Sequence, residues 1–419
     1  MLRIYYKQAI EMLKQNKFIS AIAVIGTALA IMMIMAIIVS DNIKTISLGA
    51  EPNRYRTYYV TRAVERDTVK RSWSAGGIGY DHYKNYLTDL QAPEYTTVTS
   101  WSSVSVSREG HSETLNLGVR TTGADYWKIY SFRFIEGKPW GVGEVQSGVK
   151  QVILSESTAR EVFKGEKALG QEVLLNSVPY HVVAIVEDVS KIYDMANSDL
   201  WIPYSSIADY KQWGVGSIVY TLKNNEDLPA LDREIREAEK RYDAQHENKV
   251  LTFRGPAKHA DYRLSEQASD NEDAIEIIRV ARRKSLFIFL ILLLVPAINL
   301  SGLSLSRMRK RTEEIGVRKA FGAKRHVILI QVLFENLITS LLGGVIGLLL
   351  SYGVIYRMKH WLLGVPEDSF IPFNALISWP VLLSVVVVCI LLNLLSAGIP
   401  AYRASRMNIV NSLTQNDKL

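Results

Sequence analysis

The stretch Phe18–Ser40, FISAIAVIGTALAIMMIMAIIVS, decides the fold class of this chain. It runs for 23 residues without a charged side chain, and a bilayer core about 30 Å thick needs around 20 apolar residues in helical form. It is longer than the apolar core of a cleaved signal peptide, which has roughly 7–15 residues. The Val39-Ser40-Asp41-Asn42 sequence at its end is not a small-x-small cleavage site. We therefore interpret the stretch as a retained membrane-spanning helix.

Three further stretches have the length and composition of membrane spans: Ser285–Leu305, Ile328–Ile355 and Ser378–Ile399. Glu335 is the only acidic residue in any of the four stretches, and an ionisable group inside a membrane suggests a functional role by default. Because Glu335 lies near one end of its span, contact with interfacial water or a basic side chain is the alternative. The 48% hydrophobic content and mean hydropathy of +0.05 fit a mixture of membrane helices and a large polar domain.

The distribution of lysine and arginine predicts the orientation of the spans. The segment before the first span, the loop between the second and third, and the tail together carry 15 basic residues, whereas Tyr356–Ile377 carries only Arg357 and Lys359. Four spans bring all three basic segments to one side, so both termini are expected in the cytoplasm. These segments hold four acidic residues, and their basic excess is larger than the formal net charge of +7. The excess is thus a topology signal, and no nucleic-acid partner is expected.

The long segment between the first and second spans, residues 41–284, is expected to form an extracytoplasmic α+β domain. Stretches rich in Tyr, Val, Thr and Ser predict strands, and Asn176–Pro179 predicts a hairpin turn. Asp81–Leu90 and Leu228–Tyr242 read as helices, and Arg263–Arg283 is a helix-compatible stalk into the second span. The predicted strands are Arg56–Val64, Tyr95–Ser107, Leu115–Val119, Gln151–Leu154, Val173–Leu175 and Tyr180–Val186.

This domain shows no catalytic constellation in its sequence. The seven histidines of the chain are scattered, without an H-E-x-x-H motif, and the single cysteine, Cys389, lies in an apolar run. Neither a structural metal nor a disulfide framework is therefore expected. Gly165 and Gly170 have the spacing of a phosphate loop, but Gln171-Glu172 stands where Lys-Ser/Thr is needed, which indicates an ordinary turn. We expect neither an enzyme nor a cofactor bound by this chain.

The basic loop between the second and third spans is longer than a connection between two membrane helices needs, and it is patterned. Glu314 and Arg318 have the i, i+4 spacing of a favourable helical pair, Phe321 offers apolar area beside the charge, and Gly322 supplies a helix stop. The pattern predicts a short helix at the membrane face that binds a partner. A basic loop that only fixes topology or touches anionic lipid fits the composition as well.

Two segments resemble those of a known family. Glu314-Ile-Gly-Val-Arg-Lys-Ala-Phe-Gly-Ala323 resembles the E-I-G-x-R-K-A-x-G-A signature of the MacB/FtsX-type ABC permeases, and it directly precedes the third span, as in that family. The end of the chain from Pro400 resembles the family's P-A-x-R-A-x-R ending, with Asn408-Ile409 in place of the usual Asn-Pro. Thr122–Trp140 and Val152–Asp188 resemble the family's periplasmic core domain.

The resemblance implies a membrane protein with four transmembrane α-helices, arranged 1 + 3, and a large α+β extracytoplasmic domain between helices 1 and 2. The expected boundaries are a cytoplasmic N-terminal segment (1–17), the first span (18–40), the extracytoplasmic domain with its stalk (41–284), the second span (285–305), a cytoplasmic coupling loop (306–327), the third span (328–355), a short extracytoplasmic loop (356–377), the fourth span (378–399) and a cytoplasmic tail (400–419).

The resemblance also implies partners. It implies a bacterial inner-membrane permease, paired with a second copy or a paralogue, that docks a cytoplasmic ABC ATPase to which ATP and Mg bind. A periplasmic adaptor, an outer-membrane channel and membrane lipids are further partners compatible with it. The residues that it assigns to the ATPase contact are Glu313, Glu314, Ile315, Gly316, Arg318, Lys319, Gly322 and Ala323.

Small residues in the spans indicate close helix packing. They are Gly26, Ala30, Ser340, Gly343, Gly344 and Gly347. Packing between two permeases and packing within one chain are equally compatible with this pattern.

The expected function is that of an export-type permease in which ATPase closure moves the coupling helix and, through the spans, the outer domain. The alternative is a non-transporting signalling or scaffold protein controlled by an ATPase, as in division-type members of the family.

Overall fold

The computed structural model describes residues 17–47, 49–110, 113–265, 268, 271–309, 312–363, 365, 370–372 and 376–406. The segment before Lys17 and the tail after Arg406, including Asn408-Ile409, lie outside the described residues. The helices with described bounds are α1 (Lys17–Thr45), α2 (Tyr80–His82), α3 (Tyr126–Ile129), α4 (Val142–Ser147), α5 (Glu156–Phe163), α6 (Tyr210–Trp213), α7 (Leu228–Gln245), α8 (Tyr262–Ser265), α9 (Asn271–Arg309), α10 (Thr312–Ala320), α11 (Arg325–Arg357), α12 (Lys359–Leu363) and α13 (Trp379–Arg406).

Four of the described helices, α1, α9, α11 and α13, are long and apolar enough to cross a membrane. The large domain lies in the chain between the first and second of them, so the predicted fold class, with its 1 + 3 arrangement of spans, is confirmed. The chain divides into two compact units. We call residues 44–281, together with Phe370, the inserted domain, and the helices in residues 17–43 and 282–406 the membrane unit.

The inserted domain is built on two sheets. The strands are β1 (Thr57–Val60), β2 (Arg62–Asp67), β3 (Ser72–Gly76), β4 (Pro93–Ser107), β5 (Thr114–Thr122), β6 (Phe134–Gly137), β7 (Gln151–Ser155), β8 (Glu172–Leu175), β9 (Val178–Val186), β10 (Leu200–Pro203), β11 (Ser217–Leu222), β12 (Lys249–Arg254) and β13 (Ala257–Lys258). The larger sheet has the order β13-β1-β11-β4-β5-β10-β7-β9-β6, with β8 pairing β4 and β9, and the smaller has the order β12-β2-β3. The pairs β5–β10 and β7–β9 are parallel.

Two hydrophobic cores lie along the larger sheet, and the 15-residue strand β4 contributes to both. Its first half supplies Val98 to a core closed by Leu231, Ile235 and Ala238 of α7. Its second half supplies Val104 to the other core, which lies under α5, β7 and β9. The face of α7 predicted from the i, i+4 pattern is therefore the buried one.

The structure corrects two expectations in the inserted domain. The predicted strand Arg56–Val64 is two strands, because the backbone N–H of Thr61 donates to the carbonyl of Arg254 and the chain there passes from the larger sheet to the smaller. The predicted helix Asp81–Leu90 is the short α2 followed by a π-helical turn, Tyr83–Leu87. The predicted hairpin between β8 and β9 turns at Asn176 and Ser177, which both have positive φ.

Candidate coupling segment and buried ion network

The loop between α9 and α11 contains the short helix α10, and its end is set by glycine. The backbone N–H of Ala323 donates to the carbonyl of Arg318 at 3.0 Å, which is the long bond of a Schellman-type helix end. Gly322 has φ +89°, a left-handed conformation that glycine adopts without a steric penalty from a Cβ. The chain then turns at Lys324, the extended residue before α11. The predicted helix stop is thus the observed one.

One side of α10 packs on the long helices of the membrane unit. Ile315 lies against a buried apolar cluster of Met308 from α9, Val332 from α11 and Ala401 from α13. Gly316 is also buried. Since three of the long helices contribute to this cluster, a displacement of α10 would act on all three.

Other side chains of α10 and its end are exposed. Phe321 has 89% of its surface exposed and Val317 45%. The two are spaced i, i+4, and such residues lie on the same face of a helix. Exposed apolar area at such a position marks an interaction site when it is contiguous. The exposed pair is therefore the part of this segment best suited to contact another protein.

A chain of polar side chains ties α10 to α11. The Arg318 guanidinium Nη1 donates to Oε1 of Gln331 at 2.7 Å, and Nε2 of Gln331 donates to Oε1 of Glu335 at 3.0 Å. Glu335 is only 3% exposed. The single acidic residue found in the predicted spans is therefore hydrogen-bonded within α11, one step from the short helix.

The predicted ATPase-contact residues are only partly brought together. Ile315 and Gly316 face inwards, Arg318 reaches α11, and Gly322 and Ala323 form the turn after α10. The side chains of Glu313, Glu314 and Lys319 lie outside the described part of the chain, although their backbone belongs to α10. Their contact with an ATPase stays a prediction.

The small residues of α11 pack against other helices of the same chain. A Cβ added at Gly343 would lie 2.8 Å from Cβ of Thr27, and one at Gly344 would lie 2.5 Å from Sγ of Cys389. A Cβ at Gly347 would lie 2.7 Å from the backbone oxygen of Ala28. These three glycines therefore allow the close approach of α1 and α13 to α11.

The remaining residues of the small-residue pattern differ in exposure. Ser340 and Ala30 are buried, and the Ser340 carbonyl accepts a hydrogen bond from the Cys389 thiol at 3.3 Å. A Cβ at Gly26 would meet nothing within 4 Å. Gly26 is thus an exposed member of this set, with no close neighbour at its Cβ position among the described residues.

The inserted domain contains a network of charged groups that no sequence motif indicates; Glu51, Arg54 and His259 are buried, whereas the side chain of Arg263 is 63% exposed. Glu51 and Arg54 form an ion pair at 2.7 Å, with both side chains 1% exposed. The Arg263 guanidinium lies 2.6 Å from Oδ2 of Asp194. His259 lies between the two carboxylates, with Nε2 at 3.8 Å from Oε2 of Glu51 and 3.7 Å from Oδ1 of Asp194. The five residues come from three segments that are far apart in the chain, so only the tertiary fold brings those segments together.

Burial and neighbouring charges set the pKa values in this network. Burial alone would raise the pKa of Asp194, but the positive charges of a protonated His259 and of Arg263, with a hydrogen bond from Tyr262, outweigh it and lower that pKa. Burial raises the pKa of Tyr59 well above its ordinary value, so its hydroxyl stays protonated. The hydroxyl of Tyr59 and Nδ1 of His259 lie 2.9 Å apart, so the tautomer of a neutral His259 decides which of the two donates.

Glu51, Asp194 and His259 also have the spacing of a metal-ligand set, with one ligand atom from each within 4.8 Å of the others. However, Oε2 of Glu51 already accepts from Nε of Arg54, and Asp194 already pairs with Arg263. The two carboxylates and two guanidiniums balance in charge, so a divalent cation would add two positive charges beside the buried Glu51–Arg54 pair without a carboxylate to compensate them. The residues present fit a charge-balanced network better than a metal centre.

Comparison with known proteins gives two family matches that together cover most of the chain. The MacB-like periplasmic core domain matches residues 20–238, and the FtsX-like permease C-terminal domain matches residues 286–409. These are the two parts of the chain that the resemblance of the sequence motifs indicated.

Among curated proteins, the chain is 24% identical to the macrolide export ATP-binding/permease protein MacB of Chromobacterium violaceum, over 98% of this chain and 60% of that protein. It thus spans less than two thirds of that relative. It is 22% identical to the uncharacterized ABC transporter permease YknZ of Bacillus subtilis, over 75% of this chain and 74% of that one. The solved periplasmic region of MacB from Actinobacillus actinomycetemcomitans is 17% identical, with a TM-score of 0.33, over 46% of this chain and 88% of that one.

The match to the core-domain family extends over more than half of the chain, and the second match includes the coupling segment and the last three spans. The chain therefore belongs to the MacB/FtsX-type family of ABC transporter permeases.

Proposed function

We propose that this chain is the permease subunit of an export-type ABC transporter, with both termini in the cytoplasm of a bacterial cell. A separate cytoplasmic ATPase binds ATP and Mg and docks on α10, and a second permease, identical or paralogous, completes the complex. The charge distribution supports the orientation. The relative from Chromobacterium violaceum is named a macrolide export protein, which supports an exporter.

The observation that carries this proposal is the two-sided character of the coupling segment. Phe321 and Val317 present apolar surface outwards, whereas Ile315 and Arg318 hold the same helix against the long helices. A partner that binds the exposed side and then moves would displace α10 as a lever. Because Ile315 contacts a cluster built from α9, α11 and α13, the displacement would pass into three spans at once. This arrangement suits transmission of a mechanical step rather than catalysis.

The direct test is Phe321→Ala in a tagged full-length chain that is co-purified with its ATPase. If Phe321 anchors the interface, the dissociation constant of the ATPase should rise about tenfold or more, as expected when an aromatic anchor is truncated. Trp361→Ala is the matched control, because Trp361 is an aromatic residue with 77% exposure near the other end of α11. Unchanged ATPase retention by Phe321→Ala would contradict the docking site.

A further experiment separates the exporter from the signalling alternative. The complex is reconstituted in proteoliposomes, and movement of a fluorescent macrolide or peptide is measured together with ATP hydrolysis. An exporter moves at least one such substrate in an ATP-dependent way. ATP-driven motion of the inserted domain without movement of any substrate offered would favour the scaffold or signalling role.

A further inference from the structure

The loop between β9 and β10, residues 187–199, contains no helix or strand, yet it contacts several distant segments of the chain. We call it the junction loop. We propose that this loop locks together the two segments that connect the inserted domain to the first and second spans, so that both segments move the domain as one body. The mechanical role of this lock rests on the proposed function, whereas the existence of the lock is tested independently of that function.

The incoming segment, which follows α1, is hydrogen-bonded to the junction loop through Glu51 and Arg54. Oε1 of Glu51 accepts hydrogen bonds from the backbone N–H groups of Met195 at 2.8 Å and Ala196 at 2.9 Å. Nη2 of Arg54 donates to the carbonyl of Ile192 at 2.9 Å. Hydrogen bonds to charged groups are the stronger kind. The incoming segment is thus hydrogen-bonded to three residues of the loop, Ile192, Met195 and Ala196.

The outgoing segment, which leads to α9, is hydrogen-bonded to Asp194 of the same loop. Oδ2 of Asp194 accepts from Nη2 of Arg263 at 2.6 Å and from the Tyr262 hydroxyl. His259, also in the outgoing segment, lies between Asp194 and Glu51. It therefore faces a carboxylate of the loop and one of the incoming segment. The two connecting segments meet at one buried point.

The junction loop is in turn fixed to the central sheet. Nη2 of Arg120, on β5, donates to the carbonyl of Asp194 at 2.6 Å. The hydroxyl of Tyr126, which is fully buried, donates to the carbonyl of Met195 at 2.9 Å. Any movement that the connecting segments impart to the loop is therefore delivered to β5 and to the aromatic core around Tyr126.

A third part of the chain reaches the same loop. The Ser190 hydroxyl donates to the carbonyl of Phe370 at 2.5 Å, and Phe370 lies in the connection between the third and fourth long helices. The loop thus contacts both segments that connect the inserted domain to the spans, and also the connection between the third and fourth long helices. A loop that served only to close a turn between β9 and β10 would need none of these contacts.

The test compares Asp194→Asn and Glu51→Gln with Glu65→Gln, in the full chain bound to its ATPase in nanodiscs. Glu65 is a matched control, since it accepts from Lys249 at 2.8 Å and from Tyr242 in the same domain, away from the junction loop. Hydrogen exchange is measured in both connecting segments. Either junction variant should speed exchange about tenfold in both segments, as loss of a charged hydrogen bond predicts, and the control should not. Faster exchange confined to the segment that carries the substitution would overturn the lock.

The mechanical role has its own readout. Labels on the inserted domains report the ATP-driven change in distance, which the junction variants should reduce to less than half and the control should leave intact. A second variant combines Glu51→Cys and His259→Cys in a Cys389→Ala background. Crosslinking the two new cysteines with a short bifunctional thiol reagent should restore the ATP-driven change in distance without restoring any charge. Full ATP-driven motion in Asp194→Asn despite lost protection would overturn the role. A wild-type complex without ATP-driven motion would instead overturn the proposed function.

Discussion

His259 is the residue whose chemistry the fold changes most clearly. It is 8% exposed, and burial lowers its pKa below the ordinary value of 6.5. Glu51 and Asp194 oppose the shift, and Arg54 and Arg263 reinforce it. Between its ordinary pKa and the lowered native one, the unfolded chain binds a proton that the native domain rejects. The contribution of His259 to the free energy of unfolding therefore decreases as the pH falls below about 6.5.

We predict that His259→Gln weakens this pH dependence. Between pH 8 and pH 5, the free energy of unfolding of the wild-type inserted domain should fall more steeply than that of the variant, as measured by denaturant titration of the full chain followed by tryptophan fluorescence. The slope against pH is the readout, because the substitution also changes the absolute stability. His181→Gln serves as the control, since the side chain of His181 is 61% exposed. Identical slopes for wild type and His259→Gln would refute the prediction.

The sequence predicts residue roles well where the cause is local. Gly322 was expected to end a helix, and its positive φ shows why glycine is needed there. The roles of Glu51, Arg54, Asp194, His259 and Arg263 could not be predicted, because each has at least one partner in a segment far away in the chain. Glu335 falls between these cases. Its position in a span marked it as unusual, but only the structure shows its hydrogen bond to Gln331.

The packing of α11 on α1 gives a prediction at the level of helices. In Gly347→Ala, the new Cβ would meet the backbone oxygen of Ala28 at 2.7 Å, and a backbone atom cannot move aside as a side chain can. We expect a loss of about 1–3 kcal/mol in the free energy of unfolding, the usual cost of overpacking. Gly353→Ala is the control on the same helix, because its Cβ would meet nothing within 4 Å. Unfolding in mixed detergent micelles measures both, and equal stability of the two variants would refute the packing.

The connection between α10 and α11 gives a second prediction for these elements. If Arg318 acts through Gln331, then Arg318→Met and Gln331→Met should each reduce ATP-driven motion, and the double variant should be no worse than the single ones. Arg325→Met is the control, because Arg325 is an exposed arginine at the start of α11. Labels on the inserted domain report the motion. Independent, multiplicative losses would show instead that Arg318 acts on another partner, such as the ATPase predicted from the sequence.

Element boundaries were predictable where one periodicity dominates. Apolar runs, of which only the third contains a charged residue, identify the four spans, and α7 follows from its buried face of Leu231, Ile235 and Ala238. The split of the predicted strand at Thr61 was not predictable, because it reflects pairing with two different strands, β11 and β12. The glycines of α11 indicated close packing, but the choice between one chain and two needed the neighbours Thr27, Ala28 and Cys389.

At the scale of the whole molecule, the order of one span, a large domain and three spans follows from composition alone, because membrane helices and polar domains differ so strongly in hydropathy. Function follows less directly. The coupling segment has a sequence signature, whereas the junction loop has none and is defined by contacts of Glu51 and Asp194. These two places lie in different units of the chain, and the proposed mechanism requires motion at α10 to reach the inserted domain.

The most direct test of that requirement is the distance between spin labels on the two inserted domains of the reconstituted complex, measured with and without ATP. The account predicts a change in this distance on ATP binding in the wild type, and loss of the change in Phe321→Ala at an ATPase concentration that saturates the wild-type docking site but not the weakened one. A wild-type distance that ATP leaves unaltered, or an undiminished change in Phe321→Ala, would contradict it.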